Sequence, residues 1–451
     1  MSQSEKKSQA EYLDKIESAL ESGVSADLHR VLSGMHPADI ADLLEAVPPD
    51  QRHSVWAEVD PGQFGEVLVE VAESVRFDLI QDLDDEALVQ AVSSLDTDDI
   101  ADLIPIFPDD VISRILFAMS QQDRQRLNTV LSYPDDTAGG LMNVDVVTIR
   151  ADISLGVVLR YIRMHKELPE DTNKLFIVDK RGSLVGSILL TRLLTLDTDR
   201  KVSEVMDTEI TSFGVLTPAK EVAAAFERYD LISAPVIDES NRLVGRITVD
   251  DVVDVIREAA DRSLMAPAGL REDEDIFAPV ARSTRNRAVW LGVNLITAIL
   301  ASWVIGLFEE TIQKAVALAV LMPIVASMGG NAGTQTLTLV VRGMALGTVK
   351  HSNASQVLAR ELMVSVWNSV IWALVVGVVA VIWYKSYTLG LVIAMAMGIN
   401  LVIAASAGVI IPLVIRRLGI DPALASGVAL TTLTDVAGFL AFLGLAAIFL
   451  V

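Results

Sequence analysis

The pattern of hydrophobic and polar positions changes near residue 286. Beyond it, five apolar runs each reach the roughly 20 residues that a helix needs to cross a bilayer, and none shows the strict alternation of a strand. Before it, apolar positions recur at the helix and strand periods of a soluble protein. We therefore predict a soluble half followed by five transmembrane helices. The predicted spans are residues 288–308, 315–341, 362–383, 389–415 and 423–449.

The first part of the soluble half contains a repeat with a period of 60 residues. HPADIADLLEAVPPD at 36–50 recurs as DTDDIADLIPIFPDD at 96–110. Each copy is a short amphipathic segment with a polar or acidic start, and proline ends it. The repeat predicts an all-helical stack. Its acidic residues are candidates either for cation binding or only for helix starts.

A second repeat has a period of 59 residues and the hydrophobic period of strands. FIVDKRGSLVGSI at 176–188 corresponds to PVIDESNRLVGRI at 235–247, and each copy predicts strand, turn and strand between helical segments. Residues 143–262 resemble a tandem pair of CBS domains, a regulatory module that often binds adenine nucleotides or cations. In such pairs a Thr or Ser three residues before an Asp commonly holds ribose and phosphate. Thr248 and Asp251 match this pattern, but the first copy lacks the aspartate, so ATP binding stays open.

The soluble half and the membrane half also differ strongly in charge. The segment before Asn286 holds 54 acidic and 28 basic residues, whereas the segment from Asn286 onward holds 5 acidic and 8 basic residues. The soluble half is therefore near −26 and the membrane half near +3. An acidic excess of this size repels nucleic acid, and its carboxylate oxygens suit hard divalent cations. A merely solvated acidic surface is the alternative.

Several classes of function are disfavoured. The chain has no cysteine, which excludes disulfides and thiolate metal sites, and its histidines show no paired ligand spacing, which argues against soft metals. We find no nucleophile and base pair, phosphate loop or zinc motif, so an enzyme is not expected. The N-terminus lacks the apolar run of a secretory signal, so the soluble half should stay in the cytosol. The histidines are His29, His36, His53, His165 and His351.

Basic residues mark one side of the predicted bundle. They precede the first span and lie between the second and third and between the fourth and fifth spans. The positive-inside rule then places these clusters in the cytosol, with the C-terminus outside, in a multi-pass protein of the cytoplasmic (inner) membrane. The clusters consist of Arg282, Arg285 and Arg287, then Arg342, Lys350 and Arg360, then Arg416 and Arg417.

The second span carries the most specific stretch, PIVASMGGNAGTQ at 323–335. Proline and three glycines in a membrane helix predict a break that exposes carbonyl groups to a water-filled path. The polar side chains favour this pore interpretation, and close helix packing through small residues is the alternative. The predicted pore-lining residues are Pro323, Gly329, Gly330, Asn331, Gly333, Gln335 and, from the fifth span, Asp435.

Asp435 lies about eleven residues into the fifth span, with no basic residue at its depth. A charge near the bilayer centre costs on the order of 3 kcal/mol or more, so it generally faces a cavity or a partner. A passing cation is the most economical partner, and a protonated aspartate is the alternative. Because Mg²⁺ prefers hard oxygen ligands and sheds water reluctantly, a carboxylate beside a hydrated ion suits it. Thr431, Thr432 and Asn331 are predicted to complete this site.

These motifs resemble those of the MgtE family of magnesium transporters. The resemblance is carried by PIVASMGGNAGTQTLTLVVRGMA, RRLGIDPALASG and TTLTDVAGF in the membrane half, and by YPDDTAGGLM at 133–142 before the CBS pair. It implies a homodimer whose pore is lined by the second and fifth spans, with Asp435 binding hydrated Mg²⁺. It also implies that cytosolic carboxylates bind regulatory Mg²⁺ and draw the CBS domains and a connecting plug helix into a closed state.

The resemblance covers essentially the whole chain and implies a multi-domain fold. An all-α helical stack is followed by an α+β tandem CBS pair and an α-helical transmembrane bundle of five helices. The implied parts are an acidic N-terminal domain at 1–142, CBS domains at 143–203 and 204–262, a connecting plug helix at 263–287 and a pore domain at 288–451.

The gate departs from the family pattern. DDVVDVIREAADRSLM has Ala259 and Arg262 at positions that are often acidic, which predicts weaker sensing of Mg²⁺ or sensing through the N-terminal acids instead. The acidic run at 271–275 is interpreted as a solvated linker, with ion binding as the alternative. The predicted regulatory metal ligands are Asp98, Asp99, Asp102, Asp251, Asp254 and Glu258.

Three functions stay in view. A magnesium-selective channel is favoured. A transporter of broader specificity for Mg²⁺, Co²⁺ and Mn²⁺, with weak gating, competes with it because aspartate and threonine oxygens accept all three ions. A membrane-tethered CBS nucleotide sensor that moves no ion is the third.

Overall fold

The computed structural model describes residues 25–450 except 82, 94, 165–167, 170, 271–273 and 346. Residues 1–24, on which the expectation of no secretory signal rests, lie outside the described residues, as does most of the acidic run at 271–275. The chain forms two compact units. Of the described residues, the first unit comprises 25–260 together with 274–278, and the second comprises 261–270 and 279–450.

The first unit begins with short helices that pack around one continuous apolar core, which includes Trp56, Leu68 and Leu103. The predicted helical repeat is confirmed. Its first copy forms α2 and opens α3, and its second copy forms α7 and opens α8, because proline interrupts the helix at corresponding places. The helices are α1 (Ser25–Leu32), α2 (Pro37–Ala46), α3 (Pro49–Trp56), α4 (Phe64–Glu70), α5 (Glu73–Gln81), α6 (Asp85–Val92), α7 (Thr97–Leu103), α8 (Asp109–Ala118) and α9 (Gln121–Val130).

Helices α4 and α6 pack so closely that only glycine fits at one position. A Cβ on Gly65 would overlap the carbonyl oxygen of Ala91 and lie 3.1 Å from Leu95 Cγ. We expect Gly65→Ala to destabilise the helical stack by about 1–3 kcal/mol, because backbone must move to admit the methyl group. Hydrogen exchange of the α4 amides in the full-length protein measures this. Gly34→Ala is the matched control, since its Cβ would come no closer than 3.8 Å to any atom. Equal exchange in the two variants would contradict the expectation.

The linker before the membrane helices contributes an ion pair to the first unit. Arg52 in α3 is fully buried, its Nε donates to the Leu44 carbonyl at 2.8 Å, and its Nη2 lies 3.0 Å from Asp275 Oδ2. The Asp275 side chain is only 7% exposed. The interpretation of 271–275 as a solvated linker is therefore wrong for Asp275, because a fully buried guanidinium requires a carboxylate partner.

Two small mixed sheets follow the helical stack and confirm the predicted hairpins. In the first, β1 runs parallel to β2 and β2 antiparallel to β3; the second repeats this order with β4, β5 and β6. The hairpin turns use equivalent left-handed positions, Gly182 and Asn241, which residues of these types adopt at low cost. The strands are β1 (Thr148–Arg150), β2 (Lys174–Val178), β3 (Leu184–Leu189), β4 (Phe213–Gly214), β5 (Ser233–Ile237) and β6 (Leu243–Thr248).

Five further helices belong to this region, and the last of them is the acidic helix of the predicted gate. It ends at Met265, and a 3-10 turn over Ala266–Ala268 leads to Gly269, whose φ is +72°. The predicted connecting helix at 263–287 is therefore wrong, because Pro267 and Gly269 end the helix and the next begins only at Val280. The helices are α10 (Leu155–Met164), α11 (Leu190–Thr195), α12 (Val202–Val205), α13 (Ala219–Tyr229) and α14 (Val249–Met265).

The described residues of the second unit form five helices that are long and apolar enough to cross a membrane, as predicted. The first begins eight residues before the predicted span, so Arg282, Arg285 and Arg287 lie on the helix itself. Helix α19 is central, since it packs against α17, α18 and α20, and α20 also contacts α15 and α17. The helices are α15 (Val280–Gly306), the short α16 (Glu309–Lys314), α17 (Ala317–Ala345), α18 (Ala354–Tyr384), α19 (Tyr387–Arg417) and α20 (Pro422–Phe449).

Candidate cation-binding sites

Asp435 lies in the middle of α20 and is half-buried. Within the described part of the chain, no basic side chain forms a salt bridge with it. One turn earlier, Thr431 Oγ1 donates to the Gly427 carbonyl at 3.0 Å and Thr432 Oγ1 donates to the Val428 carbonyl at 2.7 Å. Because each hydroxyl proton is used within the helix, the oxygen lone pairs stay available as acceptors. The predicted site thus presents oxygen acceptors beside a carboxylate.

Helix α17 contains the stretch 323–335 with its polar residues. Asn331 and Gln335 are exposed in the chain, and Asn331 Nδ2 lies 3.4 Å from Ser327 Oγ. The helix is continuous from Ala317 to Ala345, so the predicted break at Pro323 is wrong. A single proline removes one hydrogen bond, and a helix of this length packed against neighbouring helices retains its other hydrogen bonds.

The glycines of α17 separate into two kinds. A Cβ on Gly329 would overlap the amide of Asn400 in α19, and one on Gly333 would lie 2.9 Å from Leu430 in α20. These two glycines therefore allow neighbouring helices to approach closely, as the packing alternative holds. A Cβ on Gly330 would meet nothing within 4 Å. Of the predicted pore-lining residues in α17, Pro323, Asn331 and Gln335 are exposed, and Gly329 and Gly333 are buried.

A second group of acidic side chains, which we name the acidic cluster, joins α7 to α14 within the first unit. The carboxylate of Asp98 is near enough to Asp251 to raise its pKa, and those of Glu258 and Asp254 raise the pKa of Asp102 in the same way. The structure therefore brings all six predicted regulatory ligands into one run of neighbouring carboxylates. Asn143, which the sequence did not single out, donates from Nδ2 to Asp96 Oδ2 at 3.2 Å and Asp98 Oδ1 at 3.1 Å. The acidic cluster comprises Asp96, Asp98, Asp99, Asp102, Asp250, Asp251, Asp254 and Glu258.

Partial burial raises the pKa of five carboxyls in the acidic cluster, including Asp254. It raises the pKa of Asp98 and Asp102 to about 6, that of Asp99 to about 7 and that of Asp251 to about 8. Neighbouring carboxylates add to the pKa increase, whereas the guanidinium of Arg76 opposes it at Asp102. A bound divalent cation would favour the charged forms and so compete with these protons.

The acidic cluster does not form a compact chelating site. Within the residues that the structure describes, no three His, Asp or Glu side chains are grouped closely enough to hold one metal ion. Asp251 also has a local role, because its Oδ2 accepts hydrogen bonds from the backbone nitrogen and Oγ1 of Thr248, both at 3.1 Å. The two predicted nucleotide-binding residues therefore lie together at the start of α14.

Three family models match the chain. The model of the divalent cation transporter MgtE matches residues 322–445, that of the MgtE intracellular N domain matches 35–136, and that of the CBS domain matches 138–198 and 202–258. A magnesium transporter MgtE from Enterococcus faecalis (strain ATCC 700802 / V583) is 30% identical over 73% of this chain and 72% of that protein. The chain belongs to the MgtE family.

Other members of the MgtE family and solved structures are similar as well. A magnesium transporter MgtE from Bacillus subtilis (strain 168) is 28% identical over 96% of each chain. The crystal structure of the cytosolic domain of the Mg²⁺ channel MgtE in complex with ATP is 29% identical, covers 54% of this chain and 99% of that chain, and has a TM-score of 0.49. In this MgtE chain, both Asp435 and Asn331 lie within the segment that matches the transporter model.

Besides Asn143, a polar residue in the membrane half of this MgtE chain was not predicted from the sequence. Asn400 lies in the middle of α19 and is fully buried. Its signal was present, since a lone asparagine interrupts the apolar run from Leu389 to Ala405. A polar residue inside a membrane helix indicates a function or a helix contact, and the contact could be identified only from the packed helices.

Proposed function

We propose that this protein carries Mg²⁺ across the cytoplasmic membrane along α17 and α20. Asp435 is the observation that carries the proposal, since a carboxylate in the middle of an apolar helix, with no basic partner among the described residues, suits a passing cation. The match of residues 322–445 to the divalent cation transporter model and the relatives named as magnesium transporters support this assignment.

In this proposal the ion passes with much of its water shell. One carboxylate cannot replace the six oxygen ligands of Mg²⁺, and Mg²⁺ usually keeps several water molecules when one or two carboxylates bind it. The hydroxyl oxygens of Thr431 and Thr432 and the amide of Asn331 would accept or donate hydrogen bonds to that water. The pore would then select ions by the size of their hydrated form.

We further propose that the functional pore is a homodimer. Two-fold symmetry would bring a second Asp435 to the path and so match the two charges of the ion. An open groove of about 490 Å³ lies between α15 and α20 and is lined on the α20 side by Thr432, Leu433 and Val436. Its lining is mainly apolar, so it would be covered by lipid or protein in the membrane.

The membrane orientation and the gate belong to the same proposal. Basic clusters lie in the first turns of α15, around the end of α17 and the start of α18, and at the end of α19, so by the positive-inside rule these ends would lie in the cytosol and Leu450 outside. Cytosolic Mg²⁺ would bind at the acidic cluster, which spans α7 and α14, and stabilise one arrangement of the first unit. ATP would bind at the CBS pair near Thr248 and Asp251.

Flux into proteoliposomes tests the proposed function. We expect the purified full-length protein to support Mg²⁺ uptake above that of protein-free vesicles. Cobalt hexammine should inhibit this uptake, since it is an inert mimic of a hydrated cation. Uptake of Co²⁺ and Mn²⁺ equal to that of Mg²⁺ would show broad divalent specificity instead of selectivity for Mg²⁺. Absence of all divalent flux in a protein that binds adenine nucleotide would favour the tethered sensor and contradict transport.

A further inference from the structure

The buried amide of Asn400 joins two of the membrane helices. Its side chain is fully buried, and Nδ2 donates to the Val325 carbonyl of α17 at 2.9 Å. Its Oδ1 is also buried and accepts no hydrogen bond from any residue that the structure describes. A buried amide oxygen without a donor costs stability that an apolar side chain would not lose. Filling space between the helices therefore does not explain why this residue is an asparagine.

Both helices of the proposed path, α17 and α20, have a glycine where they contact this amide. A Cβ on Gly329 of α17 would overlap Asn400 Nδ2, and a Cβ on Gly438 of α20 would lie 2.7 Å from the same atom. Two glycines on different helices thus face one nitrogen from two sides. The amide occupies the line where α17, α19 and α20 meet, and neither α17 nor α20 has room there for even a methyl group.

The contact lies at the turns that carry the candidate ligands. Gly438 follows Asp435 by three residues, which is a rise of about 4.5 Å along the helix. Gly329 precedes Asn331 by two residues, a rise of about 3 Å, and two residues place them on roughly opposite faces of the helix. Their exposure agrees, since Gly329 is buried and Asn331 is exposed. Asn400 therefore contacts the turns that carry Asn331 and Asp435, from the opposite face of α17 at Asn331 and from the neighbouring position on α20 at Asp435.

We propose that Asn400 is a positioning residue for ion passage, an inference that rests on the proposed function. Its amide fixes the α17 turn before Asn331 against the α20 turn after Asp435, and so sets the separation of the two helices at the depth of the carboxylate. The bond to Val325 sets the position of α17, and the contacts with the two glycines set how near α20 can come.

Flux measurements on Asn400→Ala in proteoliposomes test this role. We expect the maximal Mg²⁺ flux for each folded protein to fall about tenfold, the concentration for half-maximal flux to shift, and the ratio of Mg²⁺ to Ca²⁺ flux to fall, because the helices can change their separation. A loss of folded protein alone would scale all fluxes equally and leave the ratio and the half-maximal concentration unchanged. That result would overturn the proposal.

A second pair of variants tests the same contact without removing the amide. Gly438→Ala should lower the Mg²⁺ flux and change the flux ratio, whereas Gly444→Ala on the same helix should do neither, since a Cβ on Gly444 would meet nothing within 4 Å. Combining Gly438→Ala with Asn400→Ala should restore part of the flux that Gly438→Ala loses, because the smaller side chain makes room for the methyl group. Equal behaviour of the two glycine variants, or strictly additive losses, would overturn the proposal.

The variant Asp435→Asn separates this inference from the function on which it rests. Unchanged flux in Asp435→Asn would contradict the proposed conduction site. Loss of flux in Asp435→Asn together with parental selectivity in Asn400→Ala and Gly438→Ala would leave that site intact and contradict only the positioning role. If Asn400→Ala does not give folded protein, the comparison of Gly438→Ala with Gly444→Ala decides.

Discussion

Asp435→Asn is expected to lower the Mg²⁺ flux of reconstituted protein by at least about 100-fold, which corresponds to about 2.7 kcal/mol of lost stabilisation. The substitution keeps the shape of the side chain and removes only its charge. Two unit charges about 4 Å apart interact by about 4 kcal/mol at the dielectric typical of a protein surface, and a divalent ion doubles this while intervening water reduces it. Loss of the carboxylate therefore raises the free energy of the ion at mid-membrane.

The same helix offers a matched control. Asp421 precedes α20 and accepts a hydrogen bond from the Ala423 amide at 2.9 Å, a role that asparagine fulfils equally well. Asp421→Asn removes one carboxylate from the same helix at its end rather than its middle, so its flux should stay near that of the parent. Flux is measured with a fluorescent Mg²⁺ indicator inside the vesicles. Equal flux in the two variants would show that depth in the membrane does not matter.

The elements with strong local signals were predictable from the sequence. Membrane helices were found to within a few residues at most ends, because long apolar runs are unambiguous. The two repeats predicted the helical stack and the hairpins, since each copy supports the other. The end of α14 also has a local signal in the sequence, Pro267 followed by Gly269, which opposes the connecting helix that the family resemblance implies there.

Features that depend on distant partners were not predictable in this way. The pairing of Asp275 with Arg52 joins residues that are far apart in the chain, and a charged linker has the same composition whether or not it is docked. Likewise, Gly329 could serve a helix break or a helix contact, and only the position of Asn400 distinguishes the two. Hydrophobic periodicity gives the face of a helix, but not the side chain that packs against it.

Hydrogen exchange of α7 in the full-length protein without divalent cations is expected to become faster as the pH rises from about 4 to 8, after correction for the intrinsic pH dependence. The folded-state pKa values of Asp98, Asp99, Asp102 and Asp251, about 6 to 8, exceed the ordinary value of 3.8. The folded protein therefore binds more protons than the unfolded one in this range, and the free energy of unfolding falls with pH. A pKa difference of one unit in a single carboxyl corresponds to about 1.4 kcal/mol in the free energy of unfolding.

Excess Mg²⁺ should reverse this loss at high pH, because a divalent cation stabilises the charged carboxylates in place of the protons. Asp251→Asn should weaken both the pH dependence and the Mg²⁺ effect, while its amide oxygen can still accept the hydrogen bonds from Thr248. Asp109→Asn, at an exposed acid that begins α8, is the control and should leave both unchanged. Protection of α7 that increases with pH would show that repulsion between the carboxylates of the acidic cluster does not destabilise the folded protein. A Mg²⁺ effect that Asp251→Asn does not alter would show that the acidic cluster does not bind Mg²⁺.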